Sequence, residues 1–379
     1  MSRARTVLVA NAGADVYGSD LQLLETVTAL VDSGFRVVVA LAERGPLVDR
    51  LTERRADVVI GRFPVLRRAF ATPAGLVVLA ASAAAAVPRM LWLIRNVQPD
   101  VVFVNTATLP WWLTASRLAS IPSVCHVHEA EDLDSRAVRL ALRAPLLQAH
   151  RLILISRAAL EATCAGMAAL RARAVLVANG VADRPTPPVP LPTLHDGFRV
   201  AVVGRLSPRK APDVALRAVA AMRRDGRDVR VEIAGTAYEG YEWYVEELRR
   251  LSETPDLAGA VSFTGYVFPV WTVFDRAHVV LAPSLREPFG NAVVEAQLSE
   301  RPVIAAAAAG HLESVVNGRT GVHVPAGDAD AMAAALGALM DDPGRADALS
   351  ANARRDALAR FGIARYRRDI VNVVSDLIP

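Results

Sequence analysis

The fold is decided by the stretch AVVGRLSPRK, residues 201–210, which passes from a buried strand through a glycine loop toward a helix. The mostly apolar run from Arg199 to Val203 predicts a strand of a parallel sheet that is covered on both faces. Gly204 lets the backbone after this strand approach a ligand closely, and the start of the following helix adds partial positive charge. The stretch therefore predicts a strand, a loop and a helix in which the loop binds an anion.

Similar apolar runs alternate with helical patterns on both sides of this stretch. Before it they are Thr6 to Ala10, Arg36 to Leu41, Val58 to Ile60, Val101 to Val104, Ser123 to His126, Leu152 to Ile155 and Val175 to Val177. After it they are Val229 to Ala234, Val261 to Thr264, His278 to Ala282 and Pro302 to Ala305. This alternation predicts an α/β protein of two doubly wound parallel-sheet domains, with ligands bound at the carboxyl ends of the strands.

A proline-rich segment separates the two series of strands. The prolines between Arg184 and Leu194 exclude a helix or a central strand, which predicts a stiff linker. The predicted organisation is an N-terminal Rossmann-like domain over residues 1–183, the linker over 184–197, a C-terminal domain over 198–360 and a helix over 361–379. That last helix is a candidate to pack back on the first domain.

The composition is typical of a folded globular protein. Of the 379 residues, 53% are hydrophobic and 22% are charged. Cys125 and Cys164 are too few for a metal cluster or a disulfide framework. The stretch from Met1 to Ala14 indicates a first buried strand and not a signal peptide. We therefore expect a protein of the reducing cytosol.

The net charge of +4 is unevenly shared between the two halves. Residues 1–185 carry 21 Arg against 15 acidic residues, whereas residues 186–379 carry 22 Arg plus Lys against 24 acidic residues. A basic first half beside apolar, aromatic-bearing segments favours an anionic or lipid-linked partner at the inner face of a membrane. A solvated arginine-rich surface explains the same charge. Nucleic acid is disfavoured, because no nucleic-acid-binding motif is present.

The uncharged run from Ala69 to Pro88 is long enough to raise the question of a membrane span. It is rich in alanine, contains two prolines, and is followed by Arg89 and Arg95 on the same helical pattern. We interpret it as a helix buried on one side. Contact with a membrane surface is the alternative, and a true span is disfavoured.

Lys210 is the only lysine among the 43 Lys and Arg residues. A pocket shaped for a compact ammonium on a thin stem does not readily accept the wide guanidinium fork of arginine. Arg205 and Lys210, five residues apart on one loop, can grip a diphosphate from two sides. The alternative is a surface lysine placed there by chance.

A second motif is the stretch EPFGNAVVE, residues 287–295, which carries a glutamate at each end. Pro288, Gly290 and the apolar periodicity that follows predict the start of a helix immediately after a strand. The amides of Phe289, Gly290, Asn291 and Ala292 then face an anion at that helix end. Two carboxylates about 10 Å apart can hold two hydroxyl-bearing parts of one ligand, with its phosphates between them.

Together these motifs closely resemble glycosyltransferase family four, the retaining nucleotide-sugar enzymes of the GT-B architecture. The resemblance extends over nearly the whole chain and implies two Rossmann-like domains facing across a cleft. It implies that Arg205 and Lys210 bind the donor diphosphate, that Glu287 contacts the donor sugar, and that Glu295 holds the ribose hydroxyls. It further implies that backbone amides near Gly290 assist the phosphate and that the backbone near Val267 reads the base.

The same resemblance suggests residues of the first domain that face the acceptor. The family places a histidine at the end of the strand that here runs into Val127-His128-Glu129, and His128 matches better than His126. The first-strand loop of the family carries a Gly-Gly pair, whereas this chain has Tyr17-Gly18-Ser19. Gly18 before a helix still offers an anion site. Tyr17, Ser19, His128 and Glu129 are the predicted acceptor-side residues.

Asp328-Ala329-Asp330 matches the Asp-x-Asp pattern of a metal-binding motif. Because it precedes an alanine-rich helix, we interpret Asp328 as a helix cap and predict no metal cofactor. Arg and Lys supply the charge that a divalent ion otherwise brings.

The predicted function is retaining transfer of a sugar from a nucleoside diphosphate sugar to a lipid-linked or cell-envelope glycan. A small-molecule natural product is the second acceptor. A nucleotide-sugar epimerase of the same architecture and a non-catalytic sugar-nucleotide binding protein remain alternatives. A nicotinamide oxidoreductase is disfavoured, since neither domain has the G-x-G-x-x-G fingerprint after its first strand.

Overall fold

A computed structural model describes residues 4–16, 18–66, 73–129, 136–192, 197–237 and 240–378. The chain divides into two compact units. Unit 1 comprises Met1–Gly180 together with Ile363–Pro379, and unit 2 comprises Val181–Gly362.

Within the described residues, strands and helices alternate along the chain. The strands are β1 (Thr6–Asn11), β2 (Arg36–Leu41), β3 (Asp57–Ile60), β4 (Val101–Val104), β5 (Ser123–Val127), β6 (Arg151–Leu154), β7 (Ala174–Leu176), β8 (Phe198–Val203), β9 (Val229–Ala234), β10 (Val261–Gly265), β11 (Val279–Ala282), β12 (Val303–Ala306) and β13 (Val322–Val324). The α-helices are α1 (Gly18–Asp32), α2 (Leu47–Glu53), α3 (Pro73–Val97), α4 (Pro110–Leu118), α5 (Arg136–Arg143), α6 (Arg157–Cys164), α7 (Ala168–Arg171), α8 (Pro212–Arg224), α9 (Glu242–Ser252), α10 (Trp271–Asp275), α11 (Asn291–Leu298), α12 (His311–Ser314), α13 (Ala329–Asp341), α14 (Pro343–Phe361) and α15 (Ile363–Ser375).

Unit 1 is built on a seven-stranded parallel sheet in the order β3-β2-β1-β4-β5-β6-β7. Strands β1 and β4 are buried along their whole length, as their continuous apolar sequences predict. The strand order reverses between β1 and β4. Loops that follow strands on either side of such a switch point gather at one edge of the sheet, where ligands bind in open α/β folds.

The last helix, α15, belongs to unit 1. Its Tyr366 is fully buried, and the phenol oxygen lies 2.7 Å from Thr26 Oγ1 on α1. Gln22, also on α1, exchanges two hydrogen bonds with the backbone of Gly180. These contacts tie the carboxyl-terminal helix and the end of the first segment to the same helix of unit 1.

Unit 2 is built on a six-stranded parallel sheet in the order β10-β9-β8-β11-β12-β13. Its switch point lies between β8 and β11. Apolar clusters cover both faces of the sheet, one centred on α8 and α13 and the other on α10 and α11. The predicted α/β class with two doubly wound parallel sheets is confirmed.

Residues 181–192 form no helix or strand and lie within unit 2. Arg184 is buried and forms an ion pair with Asp275, with 2.7 Å between Nη1 and Oδ1. The fully buried Arg301 donates from Nη2 to the carbonyl of Val189 at 3.0 Å. Two buried guanidinium groups therefore hold the proline-rich segment against this unit.

The structure differs from the sequence-based expectations in three elements. Strand β13 has only three residues, too few for its apolar pattern to stand out in the sequence. Helices α14 and α15 are separated at Gly362, where the backbone is extended and a Cβ would lie 2.7 Å from the carbonyl of Leu358, so the helix predicted over 361–379 begins at Ile363. Pro288 precedes α11 by several residues, because Gly290 caps that helix.

The predicted helix from the uncharged run is α3, which carries Arg89 and Arg95 as expected. Residues 69–72 of that run lie outside the described residues. Among the helices that the structure describes, none is both long enough and apolar enough to cross a bilayer.

Candidate functional site

A pocket of about 480 Å³, part of it open to solvent, lies at the switch point of unit 2. Its walls come from the carboxyl ends of β8 and β11 and from the residues that follow them. Of the residues predicted from sequence, the pocket brings together Gly204, Arg205, Lys210, Glu287, Gly290 and Ala292. The loop that carries Arg205 and Lys210 and the motif that begins at Glu287 are about 80 residues apart in the sequence, but they form one site.

The centre of the pocket is an ion pair between the Lys210 ammonium and the Glu287 carboxylate. Ser284 Oγ donates a further hydrogen bond to Glu287 Oε2 at 3.2 Å. Burial raises the pKa of the Glu287 carboxyl, but the charge of Lys210, together with His311 and Arg209, lowers it more. The net pKa lies below its ordinary value, so Glu287 is an anion at neutral pH.

The loop that carries Lys210 is shaped by two glycines. Gly204 has φ +150°, and a Cβ there would lie 3.8 Å from Cδ of Lys210, so the lysine stem lies over bare backbone. Gly235, at the end of the neighbouring strand β9, has φ +152°, and its Cβ would lie 1.8 Å from the carbonyl oxygen of Gly204. The absence of a side chain at Gly235 is therefore a requirement for the loop conformation.

Sequence reasoning missed His311 and Gly235. His311 follows β12, is 1% exposed, and lies in the pocket wall beside Gly290. Its Nδ1 is 3.2 Å from the carbonyl of Ala306; since a carbonyl only accepts, Nδ1 carries the proton. Burial lowers the pKa of His311, which keeps the ring neutral and leaves a lone pair on Nε2. The feature of the sequence that could have indicated His311 is its position directly after Gly310, in the segment that follows a predicted strand.

Gly290 caps α11 in the left-handed conformation, with φ +101°. A Cβ there would lie 3.0 Å from the His311 ring and 3.4 Å from the Glu287 side chain. Glycine at this position therefore lets the helix start approach both groups.

Besides Gly18 of unit 1, four residues predicted to bind the donor lie outside the pocket wall. Phe289 is buried and packs edge-on against Phe361, with ring centroids 5.2 Å apart. Asn291 is the first residue of α11, and Val267 follows β10 and packs on the core. Glu295 lies within α11, where burial raises the pKa of its carboxyl from 4.5 to about 7.

In unit 1, the predicted His128 directly follows β5, next to the switch point. Its Nε2 lies 3.2 Å from Asn105 Oδ1, and its backbone amide donates to Glu129 Oε2 at 3.0 Å. Glu129 Oε1 accepts a hydrogen bond of 2.6 Å from Thr106. His126 lies on the same side of the strand, with the two rings 4.0 Å apart, as strand alternation predicts.

Burial sets the protonation of this group. It lowers the pKa of His128 to about 4 and the pKa of His126 well below its ordinary value. It raises the pKa of Glu129 and that of Cys125. His126 is completely buried and is not itself accessible to a ligand.

Gly18 and Ser19, predicted to face the ligands of unit 1, are exposed at the start of α1. Tyr17 lies outside the described residues.

Asp328 is a helix cap, as predicted. Its Oδ1 accepts a hydrogen bond of 2.8 Å from the amide of Ala331 at the start of α13. Across the described ranges, no group of three or more His, Cys, Asp or Glu side chains is arranged to hold a metal ion.

Two family models match the chain. A model described as Glycosyltransferase Family 4 matches residues 17–185, and one described as Glycosyl transferases group 1 matches residues 188–356. Together they account for most of the sequence.

Two D-inositol 3-phosphate glycosyltransferases are similar in sequence to part of the chain. A D-inositol 3-phosphate glycosyltransferase from Salinispora tropica is 34% identical over 216 residues, which are 55% of this chain and 42% of that protein. The protein of the same name from Corynebacterium diphtheriae is 41% identical over 147 residues, which are 38% and 34% of the two chains. The matched region spans less than half the length of each relative.

Solved structures match the fold over nearly all of the chain. The Anabaena protein HepE, in complex with UDP and glucose, superposes with a TM-score of 0.81 at 22% identity, covering 97% of this chain and 99% of that one. Sucrose-phosphate synthase from Thermosynechococcus elongatus superposes with a TM-score of 0.80 at 20% identity, covering 98% and 99%. Both likenesses concern the fold.

Proposed function

This chain belongs to glycosyltransferase family four, and we propose that it moves a sugar from a nucleoside diphosphate sugar to an acceptor with retention at the anomeric carbon. The observation that carries the proposal is the pocket of unit 2, in which Lys210, Glu287 and the start of α11 converge. A cation and a helix start suit a diphosphate, and a carboxylate beside them suits sugar hydroxyls.

In this proposal Arg205 and Lys210 bind the diphosphate. Departure of the nucleoside diphosphate builds negative charge on the leaving oxygen, and the two cations stabilise that charge more in the transition state than in the ground state. The amides of α11 near Gly290 assist them. Gly18, at the start of α1, is the corresponding anion contact of unit 1.

Glu287 acts as a binding group. Because it is ionised and paired with Lys210, it is not the protonated acid that a glycosidase needs. It accepts hydrogen bonds from the donor sugar. The acceptor's proton then passes to the leaving phosphate on the same face of the sugar, which gives retention without an enzyme nucleophile.

The remaining donor contacts follow the family resemblance. Glu295 holds the ribose hydroxyls and the backbone near Val267 reads the base. The UDP and UDP-glucose complexes of the Anabaena protein support a uridine nucleotide as the first donor to test.

We propose a lipid-linked or cell-envelope acceptor, reached at the inner face of the membrane. The support is α3, where Val77, Val78 and Trp92 are 70%, 55% and 66% exposed on a helix that also carries Arg89 and Arg95. Apolar and cationic groups on one exposed helix suit an anionic lipid surface. An inositol phosphate, named for the Salinispora relative, is the second acceptor to test.

The function is tested by thermal-shift screening against UDP-, GDP- and dTDP-sugars, followed by transfer assays with the donor that stabilises the protein. Turnover of the nucleotide sugar without any acceptor indicates the epimerase instead. Stabilisation without transfer to any acceptor indicates a binding protein. Transfer that survives Glu287→Ala undiminished contradicts the role given to Glu287.

The membrane contact is tested by flotation with vesicles that contain anionic phospholipid. Trp92→Asp reduces binding if α3 is the contact, whereas Trp243→Asp, at another exposed tryptophan, in unit 2, leaves it unchanged. Equal flotation of both variants contradicts the contact.

A further inference from the structure

Four polar side chains form a continuous hydrogen-bonded chain at the switch point of unit 1. Asn11 Nδ2 lies 3.1 Å from Asp20 Oδ1, Asn105 Nδ2 lies 2.9 Å from Asn11 Oδ1, and His128 Nε2 lies 3.2 Å from Asn105 Oδ1. Asn11 ends β1, Asn105 follows β4 and His128 follows β5, which are neighbouring strands of the sheet. Adjacent strand ends therefore bring these residues together.

Groups that can only accept hydrogen bonds determine which atoms donate along this hydrogen-bonded chain. Asn11 Nδ2 donates to the Asp20 carboxylate and, at 3.0 Å, to the carbonyl of Gly13. Both amide hydrogens of Asn11 are thereby used, and its Oδ1 faces Asn105 as an acceptor. Asn105 must then present its NH₂ to Asn11 and its carbonyl oxygen to His128.

The contact between Asn105 and His128 determines which nitrogen of the histidine carries the proton. Since Asn105 Oδ1 accepts, His128 Nε2 must carry a hydrogen and donate it. Burial lowers the pKa of His128 to about 4, so at neutral pH the ring holds no second proton. Nδ1 keeps its lone pair and has no hydrogen-bond partner in the part of the chain that the structure describes.

We propose that Asp20, Asn11 and Asn105 act as positioning residues that hold His128 neutral with its proton on Nε2, so that Nδ1 accepts a hydrogen bond from a substrate hydroxyl. This inference rests on the proposed function for the identity of the substrate, a hydroxyl of the donor sugar or of the acceptor. The three residues are buried: Asn11 is 3% exposed, Asp20 8% and Asn105 1%. Burial excludes water, whose hydrogen bonds could otherwise stabilise a flipped orientation of either side-chain amide.

The protonation state is measured first, on the full chain without any substrate. Long-range ¹H–¹⁵N correlation spectra of protein labelled at the histidine nitrogens distinguish the two neutral tautomers and the imidazolium. His128→Gln identifies the signal. We expect the neutral Nε2–H form at neutral pH, and a neutral Nδ1–H form or an imidazolium overturns the proposal.

Asn105→Asp tests the direction of the chain. A carboxylate beside Nε2 favours the charged ring and raises the pKa of His128 from about 4 toward neutrality, so Nδ1 becomes a donor once the pH falls below that raised value. Transfer by this variant then falls by about tenfold on the acid side of its pH profile and recovers as the pH rises. Among the described residues, the ionisable groups in contact with His128 are His126 and Glu129. Cys125 lies on the same strand, Tyr366 of α15 stacks on His126, and Asp20 of α1 is linked to His128 through Asn11 and Asn105.

Asn105→Leu is the uncharged control. It removes the acceptor of Nε2 without adding charge, so transfer falls at every pH with no recovery at high pH. Thermal unfolding checks that both variants fold. A pH profile of Asn105→Asp that matches Asn105→Leu, or that matches the unchanged protein, overturns the proposal.

The two sources of the hydroxyl are separated by steady-state kinetics of His128→Gln. A raised KM for the nucleotide sugar assigns the hydroxyl to the donor, and a raised KM for the acceptor assigns it to the acceptor. No change in either KM overturns the contact. If the tautomer is found as proposed but no nucleotide sugar is turned over, the proposed function fails while the positioning chain stands.

Discussion

The two sheets place a histidine at the same topological position but orient it in opposite ways. His128 directly follows β5 in unit 1, and His311 is the first residue of α12, which follows β12 in unit 2; β5 and β12 are each the second strand beyond the switch point. His128 hydrogen-bonds through Nε2 to a side-chain amide, whereas His311 does so through Nδ1 to a backbone carbonyl. The fold supplies the position, and the neighbouring residues decide which ring nitrogen is hydrogen-bonded and which keeps its lone pair.

The surroundings of the two histidines differ in charge. The chain beside His128 ends on the Asp20 carboxylate but reaches the histidine through two neutral amides. The groups beside His311 are an ammonium and a carboxylate in direct contact. The strand ends of unit 1 therefore present neutral polar groups beside His128, whereas those of unit 2 present an ion pair beside His311. Four variants test this contrast, in order of decreasing expected effect.

Glu287→Gln tests whether unit 2 depends on charge, because it preserves shape and removes the anion. Lys210 loses its partner and the donor sugar loses a charged acceptor. We expect a fall in kcat of about 10²-fold, as for removal of one group that stabilises a transition state. Asp330→Asn, an exposed acid of the same unit, leaves kcat unchanged. Equal kcat for the two variants would show that activity does not depend on the negative charge of Glu287.

Lys210→Arg preserves the charge and changes the shape. The guanidinium fork is wider than the ammonium, and the lysine stem already lies over Gly204 beside Glu287. We expect transfer to fall by about tenfold or more. Arg217→Lys, on the exposed face of α8, is the control without effect. Full activity of Lys210→Arg would mean that only the charge matters at this position.

Gly235→Ala tests the backbone that supports the charged loop. Its Cβ would meet the Gly204 carbonyl at 1.8 Å, so the loop must move and donor KM rises. Gly226→Ala is the matched control, since φ there is also positive but the space is open. Both variants lose about 1 kcal/mol from backbone strain. An unchanged donor KM in Gly235→Ala would show that the loop tolerates displacement.

Glu295→Gln tests an acidic group of unit 2 whose pKa burial raises to about 7. The folded protein holds this proton up to a pKa of about 7, whereas the unfolded chain releases it near 4.5. The contribution of Glu295 to stability is therefore full below about pH 4.5 and is lost, by up to roughly 3 kcal/mol, as the pH rises from there through 7. Glu295→Gln should flatten this decline in urea unfolding curves. Parallel curves for both proteins would contradict the raised pKa.

Much of the site was predictable because its parts are local in sequence. All strands except β13 follow from apolar runs, and the family resemblance carried by residues 201–210 and 287–295 is confirmed by two family models. Gly204, Lys210 and Glu287 each lie on a loop directly after such a strand. The roles given to these residues stay predictions.

The missed features depend on contacts between different strand ends. Gly235 is required only because β9 lies beside β8, and His311 joins the pocket only because β12 lies beside β11. Asn11 and Asn105 are 94 residues apart and meet through the pairing of β1 with β4. Such contacts require strand order and register, which apolar periodicity does not specify.

A chain with a single lysine carries a single side-chain amine, and that amine lies in the pocket of unit 2. Reductive methylation with ¹³C-formaldehyde would therefore introduce one side-chain signal, besides that of the amino terminus, at the place where a diphosphate is proposed to bind. The chemical shift of that signal would report occupancy directly, and protection by a nucleotide sugar would identify the donor without an acceptor in hand.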